Sequence, residues 1–188
     1  MITIRSEQAF FECLILWIII RGLVLLNKRK CIRVSLKREL LLNLFAIYVI
    51  ALISVTLFPI NVIWGRRGHP LLNIVPFVEI ITRFPHIMVS ETLVRDYGGN
   101  LLLLLPLGIF LPSLWSGMRS FRNIVIIGFL TSLSIESLQY VMAYFGCAWG
   151  RATDVDDLIL NTLGIMIGYL VFAKLLVRFD FRFKPGKV

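Results

Sequence analysis

The chain has 188 residues, of which 58% are hydrophobic and only 16% are charged. Its mean hydropathy of +0.85 is too high for a soluble domain of this size, which could not bury so much apolar surface. The composition therefore predicts an integral membrane protein and excludes an ordinary soluble domain.

Five apolar stretches are long enough to cross a membrane, which takes roughly 20 residues each. They lie at about residues 8 to 26, 40 to 60, 98 to 117, 123 to 145 and 155 to 177. The first contains Glu12 and Arg21. The third contains Pro106 and Pro112, so a kink is expected there. The sequence predicts an all-α bundle of about five transmembrane helices.

The chain between the second and third spans contains an apolar run, LLNIVPFVEII, at residues 71 to 81. This run is too short to span a bilayer and too apolar to be a free loop. We expect an interfacial or re-entrant element that protein covers wherever it lies below the headgroups. The predicted organisation is an extra N-terminal helix with a basic loop (1 to 39), a membrane domain (40 to 177) and a basic tail (178 to 188).

Basic residues are concentrated after the first span, after the third span and at the C-terminus. They are Lys28, Arg29, Lys30, Arg33, Lys37 and Arg38, then Arg119 and Arg122, then Lys174, Arg178, Arg182, Lys184 and Lys187. The positive-inside rule places all of them in the cytoplasm, which predicts an outside N-terminus and a cytoplasmic C-terminus. The net charge of +9 is explained by this orientation and by attraction to anionic lipids, so no nucleic-acid partner is expected.

Other familiar signals are missing from the sequence. The first basic block follows the first apolar run instead of preceding it, so no cleavable signal peptide is expected. Cys13, Cys31 and Cys147 fall at three different depths of the predicted topology, and no Cys/His spacing predicts a metal site. There is no phosphate-binding loop or nucleophile elbow. No internal repeat suggests a transporter, although a homodimer could supply a second half.

Glu136, in the fourth span, is the clearest ionisable residue at membrane depth, where such a group costs about 2.5 to 3.5 kcal/mol on insertion scales. Gln139 and Tyr140 follow three and four residues later, and Tyr144 continues the same helix face. A glutamate that only joins two helices would not require these neighbours. The pattern therefore favours an interior polar pocket.

Three aspartates stand at the start of the fifth span. Asp154, Asp157 and Asn161 are spaced three and four apart, so they are expected to share one helix face. Asp156 is expected to point elsewhere, to water. One aspartate is enough to cap a helix N-terminus, so a second one suggests a further role. Arg151 is near enough in sequence to pair with one of them.

Gly164 and Gly168 extend the same face as a GxxxG pattern. Such patterns let helix backbones approach closely, so we expect them to pack the fifth span against the third or the fourth.

The predicted topology brings polar residues of the last three spans into the outer half of the bilayer. They are Asn100, Glu136, Gln139, Arg151, Asp154, Asp157 and Asn161. The predicted pocket comprises these residues together with Asn73 and Tyr140.

Four motifs follow one another along the chain: LNIVPF (72 to 77), GNLLLLLPLGIFLP (99 to 112), SIESLQY (134 to 140) and GRATDVDDLILNTLGIMIGY (150 to 169). In this order they resemble the VanZ family of bacterial membrane proteins. The resemblance covers roughly residues 40 to 177, so the first span looks like an addition. It implies a small multi-pass protein of the bacterial cytoplasmic membrane, associated with low-level teicoplanin resistance and with no settled chemistry. By these motifs the family's typical positions fall on Asn73, Pro76, Phe77, Asn100, Pro106, Gly108, Glu136, Gln139, Arg151, Asp154, Asp157, Asn161 and Gly164.

Three functions stay open at this point. The pocket could bind a lipid-linked or amphiphilic molecule, such as a cell-wall precursor or a lipoglycopeptide. Alternatively, the chain could be an intramembrane enzyme, with Glu136 as general acid or base and with Asp154 and Asp157 orienting substrate or weakly holding a divalent cation. Finally, the polar residues could only lock helices together. Membrane lipids are the expected partners, and the sequence names no cofactor.

Overall fold

The structure, a computed structural model, describes residues 2–28, 35–62, 70–78, 91–147 and 152–179. Its helices are α1 (Ser6–Lys28), α2 (Leu36–Leu57), α3 (Glu91–Leu103), α4 (Leu105–Leu114), α5 (Phe121–Tyr144) and α6 (Val155–Phe179). A 3-10 turn at Ser116–Met118 precedes α5. The short strands are β1 (Ile2–Ile4), β2 (Ile60–Val62), β3 (Leu71–Asn73) and β4 (Ala152–Asp154).

Five helical segments in these ranges are long and apolar enough to cross a membrane. They are Ser6–Leu26, Leu36–Leu57, Arg95–Leu114, Phe121–Tyr144 and Val155–Leu175. They correspond one to one with the predicted spans, so the all-α, multi-pass fold class is confirmed. Large apolar side chains such as Phe11, Ile18 and Leu170 remain exposed, as expected of helices whose outer faces meet lipid.

The third span is interrupted at Leu104, between α3 and α4. Pro106 follows two residues later, within the first turn of α4, where its missing backbone N–H leaves no helical bond unmade. Leu104 itself is fully buried. The kink predicted for this span is therefore present as a break between two helices.

The chain divides into two compact units. One comprises Met1–His86 and Thr131–Leu158, and the other comprises Ile87–Leu130 and Ile159–Val188. Helices α5 and α6 each contribute a part to both units.

Two small strand pairs belong to the first unit. β1 pairs antiparallel with β2, and β3 pairs parallel with β4. Strand β3 is the described start of the apolar run that was predicted to be interfacial or re-entrant. Its backbone groups bond to β4, as is required of irregular chain near a bilayer. Residues 79 to 81 of that run lie outside the described residues, and its depth stays a prediction.

The C-terminus of α5 is closed by a glycine in the left-handed conformation, Gly146, with a φ of 71°. The backbone N–H of Gly146 donates to Ala143 O over 3.0 Å, and that of Cys147 donates to Met142 O over 2.8 Å. This is the Schellman arrangement, which satisfies two carbonyls at the helix end. Cys147 O then accepts from the backbone N–H of Asn61 over 2.8 Å, so the helix end is fixed to β2.

Glycines set the helix packing of the second unit. A Cβ atom at Gly164 would clash with the carbonyl oxygen of Leu101, and one at Gly168 would clash with that of Leu105. Gly108 of α4 meets the α6 backbone in the same way. The GxxxG face of the fifth span thus lies against the third span, at a separation that only glycine permits.

Candidate functional site

Glu136 is a buried carboxylate within a membrane span. It lies in α5 eight residues before Tyr144, which is about 12 Å along the helix axis. Its side chain is 5% exposed, and Oε2 accepts a hydrogen bond from the backbone N–H of Asp154 over 3.3 Å. Lipid offers no such donor, so this contact gives the carboxylate a partner within the protein.

Asp154 joins three elements through one side chain. It ends β4 and precedes the first residue of α6, where its Oδ1 accepts from the backbone N–H of Asp156 over 2.9 Å. That bond caps the helix. Its Oδ2 accepts from Asn73 Nδ2 over 3.0 Å, which ties the end of β3 to the same carboxylate.

Asp156 was expected to point to water, and this expectation was wrong. The residue is 3% exposed, and its Oδ1 accepts from the backbone N–H of Phe77 over 2.8 Å. Phe77 has a φ of 58°, in the left-handed region that a residue with a Cβ adopts at a cost. The helix start at Val155 agrees with the predicted span, but no pattern in the sequence indicated that the chain at Phe77 packs against the first turn of α6 and donates to Asp156.

The polar residues of the predicted α5 stripe differ in burial and in the contacts that they make. Gln139 Nε2 donates to the backbone carbonyl of Thr56 over 2.9 Å and so joins α5 to α2. Thr56 is buried. Tyr140 and Tyr144 are exposed instead. Among the described residues, Glu136 and Gln139 therefore make contacts with other elements, and the two tyrosine rings lie on the surface.

We name as the carboxylate cluster the set Asn73, Phe77, Glu136, Asp154 and Asp156. Its hydrogen bonds connect β3, the turn after it, α5 and the start of α6, all within the first unit. Sequence reasoning missed Asp156 and the Phe77 amide. No periodic pattern marks either one, although the crowding of three aspartates into four positions was a signal that more than capping was involved.

The remaining predicted site residues are not among those of the carboxylate cluster. Asp157 is half-buried in the first turn of α6. Asn100 and Asn161 belong to the second unit, where Asn161 is 1% exposed. Arg151 lies outside the described residues. The convergence of Asn100, Asn161 and Arg151 with the cluster stays a prediction.

The chemistry of the cluster is that of hydrogen-bond acceptors. Asp154, Asp156 and Glu136 accept from backbone or amide N–H groups, which is how charged or neutral carboxyl groups are accommodated away from water. In the described part of the chain, no group of three or more His, Cys, Asp or Glu side chains is placed to hold a metal ion.

The sequence matches the model of a known protein family over most of its length. The model of the VanZ/LLP1 family matches residues 45–178, which is well over half of the sequence. The chain belongs to the VanZ/LLP1 family. The resemblance based on the four motifs is thereby confirmed. Neither the curated proteins nor the solved structures that were compared gave a match.

The VanZ/LLP1 match includes every residue of the carboxylate cluster and all four motifs. It begins at residue 45, part-way along α2, so α1 and β1 precede it. The family assignment and the five spans together describe a multi-pass membrane protein of the VanZ/LLP1 family.

Proposed function

We propose that this VanZ/LLP1 protein binds an amphiphilic or lipid-linked molecule at the carboxylate cluster and thereby lowers the action of glycopeptides such as teicoplanin. In this proposal the protein lies in the bacterial cytoplasmic membrane with its N-terminus outside and its C-terminus in the cytoplasm. The cluster then lies towards the outer surface, where cell-wall precursors and the drugs that bind them are found.

The observation that carries the proposal is the burial of Glu136 at membrane depth. An ionisable group inside a span is costly and is found mostly where it serves a site or a polar interior. Here it is accompanied by two further carboxylates, Asp154 at the end of β4 and Asp156 in the first turn of α6. A single interhelical hydrogen bond, worth about 0.6 kcal/mol on average in lipid, would not call for three such groups.

The surroundings of the cluster fit a ligand that is polar at one end and apolar at the other. Leu72, Ile74 and Val75 flank Asn73 in sequence, and their side chains are largely exposed. They offer apolar surface beside a group of acceptors. Hydroxyl, amide and ammonium groups are the donors that such acceptors bind. A molecule with an acyl chain and a donor-rich headgroup combines the two, and lipoglycopeptides and lipid-linked wall precursors are of this kind.

The competing explanation is that the cluster only stabilises the fold. Every hydrogen bond described for it also holds one element against another, so a loss of function in a variant means little without a measure of folding. The two explanations differ in one respect: a binding site loses ligand affinity under a substitution that leaves thermal stability unchanged.

The test is expression in a teicoplanin-susceptible bacterium, with the drug's minimum inhibitory concentration and the surface binding of a fluorescent lipoglycopeptide as readouts. We expect the wild-type protein to raise the inhibitory concentration and Glu136→Gln to abolish the increase. Glu12→Gln is the matched control, because Glu12 is an exposed glutamate in another span. The purified variants are compared by thermal unfolding.

An unchanged inhibitory concentration with the wild-type protein present in the membrane would remove the resistance part of the proposal. Wild-type ligand binding by a folded Glu136→Gln protein would remove the cluster as the site. A variant that loses function and stability together would favour the structural explanation.

A further inference from the structure

Helix α1 carries an arginine within its apolar segment. Arg21 lies five residues before Leu26, where the apolar span ends, which is about 7.5 Å along the helix axis. The flanking residues Ile18, Ile19, Ile20 and Leu23 are apolar and largely exposed. An unpaired arginine at this position would oppose insertion of the helix into a bilayer.

The structure pairs this arginine with an acid from the next helix. The Arg21 guanidinium forms an ion pair with the carboxylate of Glu39, in the first turn of α2, and the two side chains are only 14% and 15% exposed. The guanidinium carbon also lies 6.0 Å from the centre of the Trp17 ring, within the range of a cation–π contact.

Neighbouring side chains extend the pair into a network. Trp17, one turn before Arg21, donates from Nε1 to Asn43 Oδ1 over 3.3 Å. Asn43, one turn after Glu39, donates from Nδ2 to the backbone carbonyl of Glu39 over 2.9 Å. Positions four apart on α1 therefore meet positions four apart on α2, as neighbouring helix faces require.

Apolar packing also contributes to this attachment. Ala9 is the one fully buried hydrophobic residue of α1 among those described, and Phe10, Leu14, Val24 and Leu25 are half-buried. At its N-terminal end the segment is held by the backbone pairing of β1 with β2. The polar network near one end and the strand pairing at the other therefore add to a partly buried apolar face.

We propose that α1 spans the membrane only as one half of a hairpin with α2, in which Glu39 neutralises Arg21. All four network residues precede residue 45, where the VanZ/LLP1 match begins, so the hairpin attaches α1 to the first helix of the family domain through residues outside the match. A buried ion pair tolerates loss of both charges far better than loss of one partner. The hairpin therefore depends on matched charges at positions 21 and 39, whichever residue carries which sign.

The test determines on which side of the membrane each end of α1 lies. Thr3→Cys and Ser35→Cys, made separately in a chain whose Cys13, Cys31 and Cys147 are replaced by serine, are labelled in intact cells with a membrane-impermeant maleimide. Labelling of one site and not the other shows a spanning α1. The wild-type charges should give this result.

Three variants then examine the pair. Glu39→Lys should lower the ratio of spanning to non-spanning α1 by about tenfold or more. It adds positive charge to the first turn of α2, beside the basic loop after α1, so the positive-inside rule alone would favour the original orientation, and a loss cannot come from that effect. The charge swap Arg21→Glu with Glu39→Arg should restore spanning. The uncharged pair Arg21→Leu with Glu39→Leu should span as the wild type does.

Wild-type labelling of Glu39→Lys would overturn the proposal, and so would a charge swap that reaches the membrane without restoring spanning. If Glu39→Lys is degraded, the charge swap decides, because it keeps an ionisable residue at both positions. Its accumulation at the wild-type level with a spanning α1 supports the proposal, and its loss overturns it.

Discussion

Asn73 and Asp154 are paired twice, once by backbone and once by side chain. They stand opposite each other at the end of the parallel β3–β4 pair, and Asn73 Nδ2 donates to Asp154 Oδ2 over 3.0 Å. The second oxygen of the same carboxylate caps α6. One side chain therefore fixes both the register of a strand pair and the start of a spanning helix, although its partner is 81 positions away in the chain.

Exchanging these two side chains should preserve much of the free energy of unfolding that a single replacement in the pair loses. Asn73→Asp removes the donor and sets two acceptor-only carboxylates against each other, and we expect a loss of about 1 to 3 kcal/mol in the free energy of unfolding. Adding Asp154→Asn supplies a donor from Nδ2 to the new carboxylate, while its Oδ1 still accepts at the helix cap. The double variant should then be more stable than Asn73→Asp alone, as measured by thermal unfolding in detergent. A double variant whose loss equals the sum of the two single losses would show that the pair is not coupled.

Removing the Asp156 carboxylate should release residues 70–78 from the start of α6. Asp156→Ala leaves the Phe77 N–H without its acceptor in a part-buried position, at an expected cost of about 1 to 3 kcal/mol. Asp96→Ala is the control, because Asp96 is an exposed aspartate in α3. The measurement is the midpoint of thermal unfolding together with proteolysis of the segment. Equal midpoints for the two variants would mean that the buried bond contributes nothing.

Because the backbone of Phe77 is left-handed, glycine at position 77 should give a more stable protein than alanine, which is the reverse of their usual order of stability. Both Phe77→Ala and Phe77→Gly remove the ring, so they differ only in the backbone. Because the φ of 58° is unfavourable for any residue with a Cβ, the glycine variant should be the more stable by about 1 kcal/mol. Unfolding of the two variants in the same detergent measures the difference. If the alanine variant is the more stable, Phe77 does not hold this conformation in the folded protein.

Gly168 should tolerate no larger side chain. A Cβ there would clash with the carbonyl oxygen of Leu105, so Gly168→Ala must push α6 away from the third span, at a cost of about 1 to 3 kcal/mol. Gly22→Ala is the matched control, because nothing lies within 4 Å of a Cβ at Gly22 and alanine is the better helix former. Thermal unfolding should therefore shift downwards for the first and stay level or rise for the second. Similar midpoints would argue against the close helix contact.

Some features of the site followed directly from the sequence. Glu136 was identified because an acid in an apolar span is conspicuous at any position, and the GxxxG spacing identified Gly164 and Gly168. The contact between Asp156 and the Phe77 amide was not predicted. Their contact joins the first turn of α6 to the turn after β3, 79 positions earlier in the chain, and the periodicity within either segment does not indicate that the two segments meet.

The amino-acid sequence by itself determined that this is a five-span VanZ/LLP1 membrane protein, because hydrophobic length and motif order are properties of contiguous residues. The tertiary structure alone decided which polar groups meet. Asp156 reaches the Phe77 N–H, Asp154 reaches Asn73, and Gln139 reaches Thr56 across 79 to 83 positions of chain. Where water is scarce, such groups must bond to whatever donor or acceptor the fold brings near, and that pairing is fixed in space and not along the chain.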